Sequence, residues 1–520
     1  MRGWLWAAAL MLALAAIPAS AGTFRWASDH DVRSLDPYAG LETFLRSFDA
    51  NIYEPLVRRG RDLQIEPALA TSWTQITPET WRFRLREGVS FQDGAPFTAD
   101  DVVFSFARAI APESRIAGLL AAVKDVRKLD DHTIEVATAG PDPILPDELA
   151  DWLIMSRAWC ETHDASVPAD GGYAADHANG TGAFAVTERA PDERTLLVPN
   201  PKWWDKPQHN LDAVVFTPIA DPHALVTGLE NGALDMIYTV PPRELDRIAR
   251  APNLSVVEGP ELRTIFLGFD EWRPQLLESG IKGRNPFKDH RVREAFYRAI
   301  DERTIIAKVM RGHATPTALM VAPGVNGFDP AHAARLAYDP AQARRLLAEA
   351  GYPNGFDTGM DCPTDRYVND GQICAEIVAM LAKVGITVRL KAQDRAGFFA
   401  KIMPPVLHTS FFLLGWAPAT EDALNVLINL AATRNPDAHL GDYNIAGYSN
   451  PALDALIARI QVEMKPQERQ RMLRQALALV KDDIAYIPLH QQNVVWATRR
   501  GVAVVQRADN SFPLRYVRLP

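Results

Sequence analysis

The chain has 520 residues, room for roughly two to four domains, and its apolar (47%) and charged (23%) fractions are those of a folded globular protein rather than a disordered one. A net charge of -9 without any Lys/Arg run argues against nucleic acid or an anionic membrane surface as partner. Twelve Trp and 38 Pro suggest aromatic-lined surfaces and many rigid loops.

In chain order, the first element is a leader. Arg2 precedes an uncharged run, Trp4 to Ile17, followed by Pro18 and the small residues Ala19-Ser20-Ala21. A positive start, a short apolar core and a small-x-small site predict a Sec signal peptide cleaved after Ala21. The run is too short to span a bilayer, which takes about 20 residues. With no Cys after it, no lipid anchor is expected, and the mature protein is expected in the periplasm.

Thr80 to Phe91 alternates Trp81, Phe83 and Leu85 with Arg82, Arg84 and Arg86, the period of a half-buried strand. Thr98 then caps a helix, with Asp101 three residues on in the place a capping box gives to Glu. Asp221-Pro222, Asp339-Pro340 and Asn450-Pro451 open further helices, and Gly232 and Gly351 stop the first two. Asp289 opens another, with Val292, Ala295, Phe296 and Ala299 on one face. Strands are predicted over Asp212 to Ile219, Thr264 to Phe269, Ile386 to Ala392 and Thr409 to Trp416. This mixture predicts α/β lobes.

Of the three cysteines, Cys362 and Cys374 bracket a short polar loop and are the expected disulfide, leaving Cys160 over; three unpaired thiols are the alternative. Patterns that carry chemistry are missing. The chain has no G-x-S-x-G, G-x-x-x-x-G-K-[ST], G-x-G-x-x-G, H-E-x-x-H or C-x-x-C, and its twelve His are scattered. No catalytic residue, metal site or cofactor is assigned, which leans toward binding rather than catalysis.

Several stretches in order resemble one family. Glu66 to Ala109 (EPALATSWTQITPETWRFRLREGVSFQDGAPFTADDVVFSFARA) resembles its signature block. GTGAF (Gly180 to Phe184), NPKWW (Asn200 to Trp204) and LENGALD (Leu229 to Asp235) follow. The series continues with Asn285 to Ile306, Tyr338 to Phe356, GYSNPALD (Gly447 to Asp454) and AYIPLHQ (Ala485 to Gln491). The chain thereby resembles the extracytoplasmic solute-binding proteins of ABC importers, family 5, in the branch of dipeptide and oligopeptide receptors.

That resemblance implies an α/β, two-lobe periplasmic-binding-protein type II (venus-flytrap) fold with an additional inserted domain. Lobe one would comprise residues 22–55, 183–270 and 486–520, the inserted domain 56–182 and lobe two 271–485. Within the signature block, Trp73, Trp81 and Phe91 are expected in the core. The implied function is to capture a small solute or peptide, as a monomer without enzymatic activity, for the permease subunits in the inner membrane. A secreted hydrolase is the rival class.

The resemblance also implies a site. The loop after the strand ending at Gly415, Trp416 and Ala417 would border the ligand. Peptide receptors commonly carry an Asp three residues after the Trp for the peptide ammonium; here that residue is Ala419. Asp422 matches a second acidic position, and Glu421, Asp365 or Asp370 could substitute. The missing Asp keeps an opine, a sugar conjugate or a metal chelate open as ligand. Arg366 falls where dipeptide receptors grip the ligand carboxylate through two parallel N–H bonds. Tyr367 and Asn369 would assist, and Ser34 and Asp36 would border the cleft.

Overall fold

The computed structural model describes residues 22–40, 42–169, 171–238, 240, 244–418 and 420–520. The expected leader, residues 1–21, and Ala419 lie outside the described residues.

Local chemistry sets the helices. Thr98 and Asp101 form a capping box on Ala99–Ala109, with the Thr98 N–H donating to the Asp101 carboxylate at 2.9 Å. Asp221, Asp289, Asp339 and Asn450 accept backbone N–H bonds at the starts of Pro222–Glu230, His290–Ala299, Pro340–Glu349 and Pro451–Val462. Each satisfies donors that a first helical turn leaves free. Val292, Ala295, Phe296 and Ala299 turn together into one core.

Two strands differ from expectation. The one expected to reach Phe91 ends at Leu85. Gly88, at φ +74°, turns the chain, and Phe91 packs onto the same core from a loop. Trp73 and Trp81 are half-buried against that core. The strand expected to begin at Thr264 instead runs over Leu254–Phe269. Gly259-Pro260 hides its first half in the sequence, because Pro supplies no ladder N–H. Pairing with Tyr486–Arg499, from Leu254 opposite Arg499 to Gly268 opposite Tyr486, forms it nonetheless.

These two long antiparallel strands lie in the middle of a large mixed sheet. On one side come Met236–Ile237, Thr23–Ser28, Ala213–Pro218, Arg194–Pro199 and Phe184–Ala190; on the other, Phe411–Trp416, Asp357–Pro363 and Thr387–Gln393. Leu254 and Ala497 belong to an N-terminal core, Leu267 and Ile487 to a separate one. The same two strands therefore cross between two bodies. A third core surrounds the four-stranded sheet of Ala70–Thr77, Thr80–Leu85, Thr133–Thr138 and Val123–Asp130. Leu153, Met155, Trp159, Cys160 and Ala174, from the segment expected as an insertion, pack instead with Phe24 and Trp26.

Cys362 and Cys374 are bridged, tying Asp357–Pro363 to the helix Asp370–Ala382, and Cys160 is free and buried.

Candidate functional site

A cavity of about 380 Å³ opens where the crossing strands meet the rest of the molecule. Its first wall is the C-terminal segment 507–515. Asn51, just beyond the helix Thr43–Asp49, accepts from the Leu514 N–H at 2.8 Å and donates to the Phe512 carbonyl at 3.2 Å. Ser47 accepts from the Phe512 N–H at 2.6 Å. Buried side-chain bonds to backbone hold this irregular segment where no ladder could.

The second wall is a fault in the crossing strands. Their register slips between Pro260 and Thr264, so Glu261, Leu262 and Arg263 leave the ladder. The Leu262 N–H donates instead to the Ala508 carbonyl at 2.9 Å. Glu261 and Arg263 then face the cavity and pair with each other at 3.1 Å. Burial raises the Glu261 carboxyl, against the opposing charges of Arg263 and Arg366. The third wall, Ala417, Pro418 and Glu421, comes from the loop after Phe411–Trp416.

On the floor sits Glu54, which accepts from the indole N–H groups of Trp203 (3.0 Å) and Trp204 (2.7 Å) and from the Thr181 hydroxyl (3.0 Å). Burial raises its carboxyl; these bonds and Arg58 pull it back. The GTGAF and NPKWW motifs thus converge on one acid. Gly180 lets that loop touch backbone, since a Cβ there would sit 2.0 Å from the Ile52 carbonyl oxygen. The lining has neither His nor Cys. A concave, charged, partly enclosed cavity of this size suits a small polar solute held by several directed bonds.

Residues 64–437 match the profile of the bacterial extracellular solute-binding proteins, family 5 Middle. The chain belongs to this family. It is 26% identical over 512 residues to the glutathione-binding protein GsiB of Salmonella typhi, covering 96% of this chain and 95% of that one. Among solved structures, HbpA2 from Haemophilus parasuis matches with a TM-score of 0.85 at 22% identity, covering 96% of this chain and 100% of that one. The periplasmic binding protein DppA from Helicobacter pylori, in complex with peptide STSA, matches at 0.67 and 24% identity, covering 95% and 97%. The fold is the two-lobe type II periplasmic-binding-protein fold, and the relatives are solute-binding proteins rather than enzymes.

In this solute-binding protein the residues expected at the ligand divide. Ala417 lines the cavity, as does Glu421. Asp422 does not: it is fully buried, caps Ala423–Val426 and grips Arg469 at 2.6 and 2.9 Å. Asp36 is likewise committed inside the protein, to Arg108 at 2.8 and 2.6 Å, and the Ser34 hydroxyl accepts the Asp36 N–H. A bidentate buried pair leaves neither carboxylate free for a ligand.

The loop of Arg366 is braced from within. Asp370 accepts the N–H groups of Arg366 and Tyr367, both at 3.0 Å, and Asp365 accepts the Arg395 N–H. Asn369 adopts a left-handed conformation and donates to the Val309 carbonyl, so its role is in the turn. Tyr367 is buried, its hydroxyl donating to the Gly415 carbonyl at 3.2 Å. A Cβ on Gly415 would lie 2.8 Å from that ring, so Gly415 makes room for Tyr367. Trp416 donates to Asn425 at 2.9 Å and packs on Tyr443 beside the cavity. Arg366 itself is exposed, its guanidinium 5.2 Å from the Tyr367 ring centre.

Sequence reasoning missed Glu54, Arg59, Glu261, Arg263 and the whole 507–515 wall. The NPKWW and GTGAF motifs meet Glu54 only in the folded structure, and nothing local marks the C-terminal segment.

Proposed function

We propose that this protein is the periplasmic receptor of a peptide-type ABC importer. It captures a small peptide or peptide-like solute bearing a carboxylate, and delivers it to permease subunits in the inner membrane. It works as a monomer and makes no covalent change to its cargo. The observation that carries this reading is the cavity itself: the C-terminal segment, the fault in the crossing strands and the loop at Ala417 wall it from both bodies. Ligand contacts made to both sides at once favour the closed arrangement over the open one. The relatives support the cargo class, one being a glutathione-binding protein and another solved in complex with peptide STSA. The leader-like residues 1–21 support export.

A second reading keeps the receptor and changes the cargo. The acids beside the G-W loop are engaged: Asp422 holds Arg469, and Glu421 holds Arg59 at 2.5 Å. A buried ammonium lacking a carboxylate costs several kcal/mol. This arrangement favours a solute with no free α-ammonium there, such as an opine or a blocked peptide.

Native mass spectrometry of the purified protein, followed by calorimetry with glutathione and mixed di- to tetrapeptides, tests the proposal. A bound mass released unchanged on unfolding, with a raised Tm, is expected. Cleaved peptides, or no binding of any small solute, would overturn it.

A further inference from the structure

Charge on the cavity wall is unevenly matched. Six arginines and five carboxylic acids line it. Arg46 pairs with Asp151, Arg58 with Glu66 and Asp205, Arg59 with Glu421, Arg263 with Glu261, and Arg507 with Asp509. Arg515 has no carboxylate at ion-pair distance among the described residues. Its Nη2 donates to the Arg59 carbonyl at 3.3 Å, and its Nε is buried without a partner. The guanidinium lies 4.7 Å from the Tyr516 ring centre, and Arg61 approaches the same ring at 4.3 Å. Nearby, the Arg58 Nη1 is also buried without a hydrogen bond, 3.8 Å from the Glu54 carboxylate.

Resting on the reading of this cavity as the solute site, we infer that Arg515 is its anion subsite and receives the solute's carboxylate. A cation without a carboxylate partner in a partly enclosed site is costly, and an incoming anion removes that cost while gaining charge-assisted bonds. Burial and then the positive charge of Arg58 disfavour the charged guanidinium, with Tyr516 pulling against them and Arg507 adding to them. Arginine nevertheless stays protonated, so the site is cationic at any physiological pH. Its backbone is preorganised: Asn51 and Ser47 pin Phe512 and Leu514 immediately before it. Little ordering is left for the ligand to impose. Arg366, assigned the carboxylate by resemblance, is exposed and is not among the residues on the wall.

The test compares wild type, Arg515→Gln and Arg515→Lys by calorimetry and thermal shift. The probes are a panel of apolar dipeptides as free acids, the same panel as C-terminal amides, and succinate. Wild type is expected to bind free acids at least tenfold more tightly than amides. Arg515→Gln should abolish that ratio and Arg515→Lys should restore part of it. Equal binding of acids and amides by wild type, an acid/amide ratio unchanged in Arg515→Gln, or no response of wild type to any carboxylate probe would overturn the subsite. If succinate stabilises wild type but not Arg515→Gln while no peptide binds, the peptide reading falls and the subsite stands. Should Arg515→Gln fail to fold, the acid/amide ratio in wild type and Arg515→Lys decides.

Discussion

Arg59 and Glu421 meet across the cavity, with Nη2 and Oε2 2.5 Å apart. Arg59 ends the strand Val57–Arg59, which pairs with Ile65–Pro67; Glu421 follows the strand that ends at Trp416. Arg59 also donates to the carbonyls of Thr420 (3.3 Å) and Asp147 (3.0 Å), and Leu63 packs into the core that holds Phe412 and Leu414. Contact between the two sides therefore includes these buried polar bonds and the apolar Leu63 side chain. Glu421→Gln should leave Arg59 with Asp147 and carbonyls as partners. The expected cost is about 1–3 kcal/mol of stability, with a larger radius of gyration in solution scattering. Unchanged scattering and unchanged Tm would show that the pair does not hold the sides together.

Asp36 and Asp422 should behave as framework residues. Asp36→Asn and Asp422→Asn each leave a buried guanidinium without its charge partner, Arg108 or Arg469. Each should cost about 3–5 kcal/mol in chemical denaturation while leaving ligand preference unaltered. A change of ligand preference without loss of stability would return these acids to the binding site.

Arg366→Ala should weaken solute binding less than tenfold. Its guanidinium is solvated, and exposed ionic contacts contribute roughly 1 kcal/mol or less. Calorimetry with a free-acid dipeptide decides this, and a hundredfold loss would place the ligand carboxylate on Arg366 after all.

Stability should fall as pH rises from about 5 to 8. Burial, followed by the nearby Asp142, Asp147 and Asp422 carboxylates, pushes the Glu148 carboxyl up to about 8. A folded-state pKa above the unfolded value means that the native form retains a proton that the unfolded chain releases. The contribution is fully present below the unfolded pKa and is lost progressively up to the folded one. Burial raises Glu271 and Glu421 to about 8 as well, so Glu148→Gln should reduce, not abolish, the dependence of Tm on pH in this window. An identical slope in the variant would assign the titration elsewhere.

Reducing the Cys362–Cys374 bridge should lower stability by about 3 kcal/mol on the loop-closure account for so short a loop. The loss should appear as a lower Tm in reductant, and a Cys362→Ala/Cys374→Ala double variant should match the reduced protein. No difference between oxidised and reduced forms would show that the bridge does not constrain the unfolded chain.

The sequence by itself determined the helices, most strands and the family. A cap such as Thr98-Asp101 acts within one turn, and the alternation at Trp81, Phe83 and Leu85 acts within one strand, so both are legible locally. The order of motifs along the chain carried the two-lobe fold for the same reason: each motif is a short piece of local structure. Gly259-Pro260 hid half of the crossing strand, because its pairing with Tyr486–Arg499 spans more than two hundred residues of sequence.

Tertiary structure alone decided which charges are spent and which are free. Asp36 finds Arg108 72 residues away, and Asp422 finds Arg469 47 residues away. Arg515, unremarkable in the sequence, finds no acid at ion-pair distance among the described residues. Coulomb attraction and desolvation depend on distance and burial between groups, and neither quantity is carried by position along the chain.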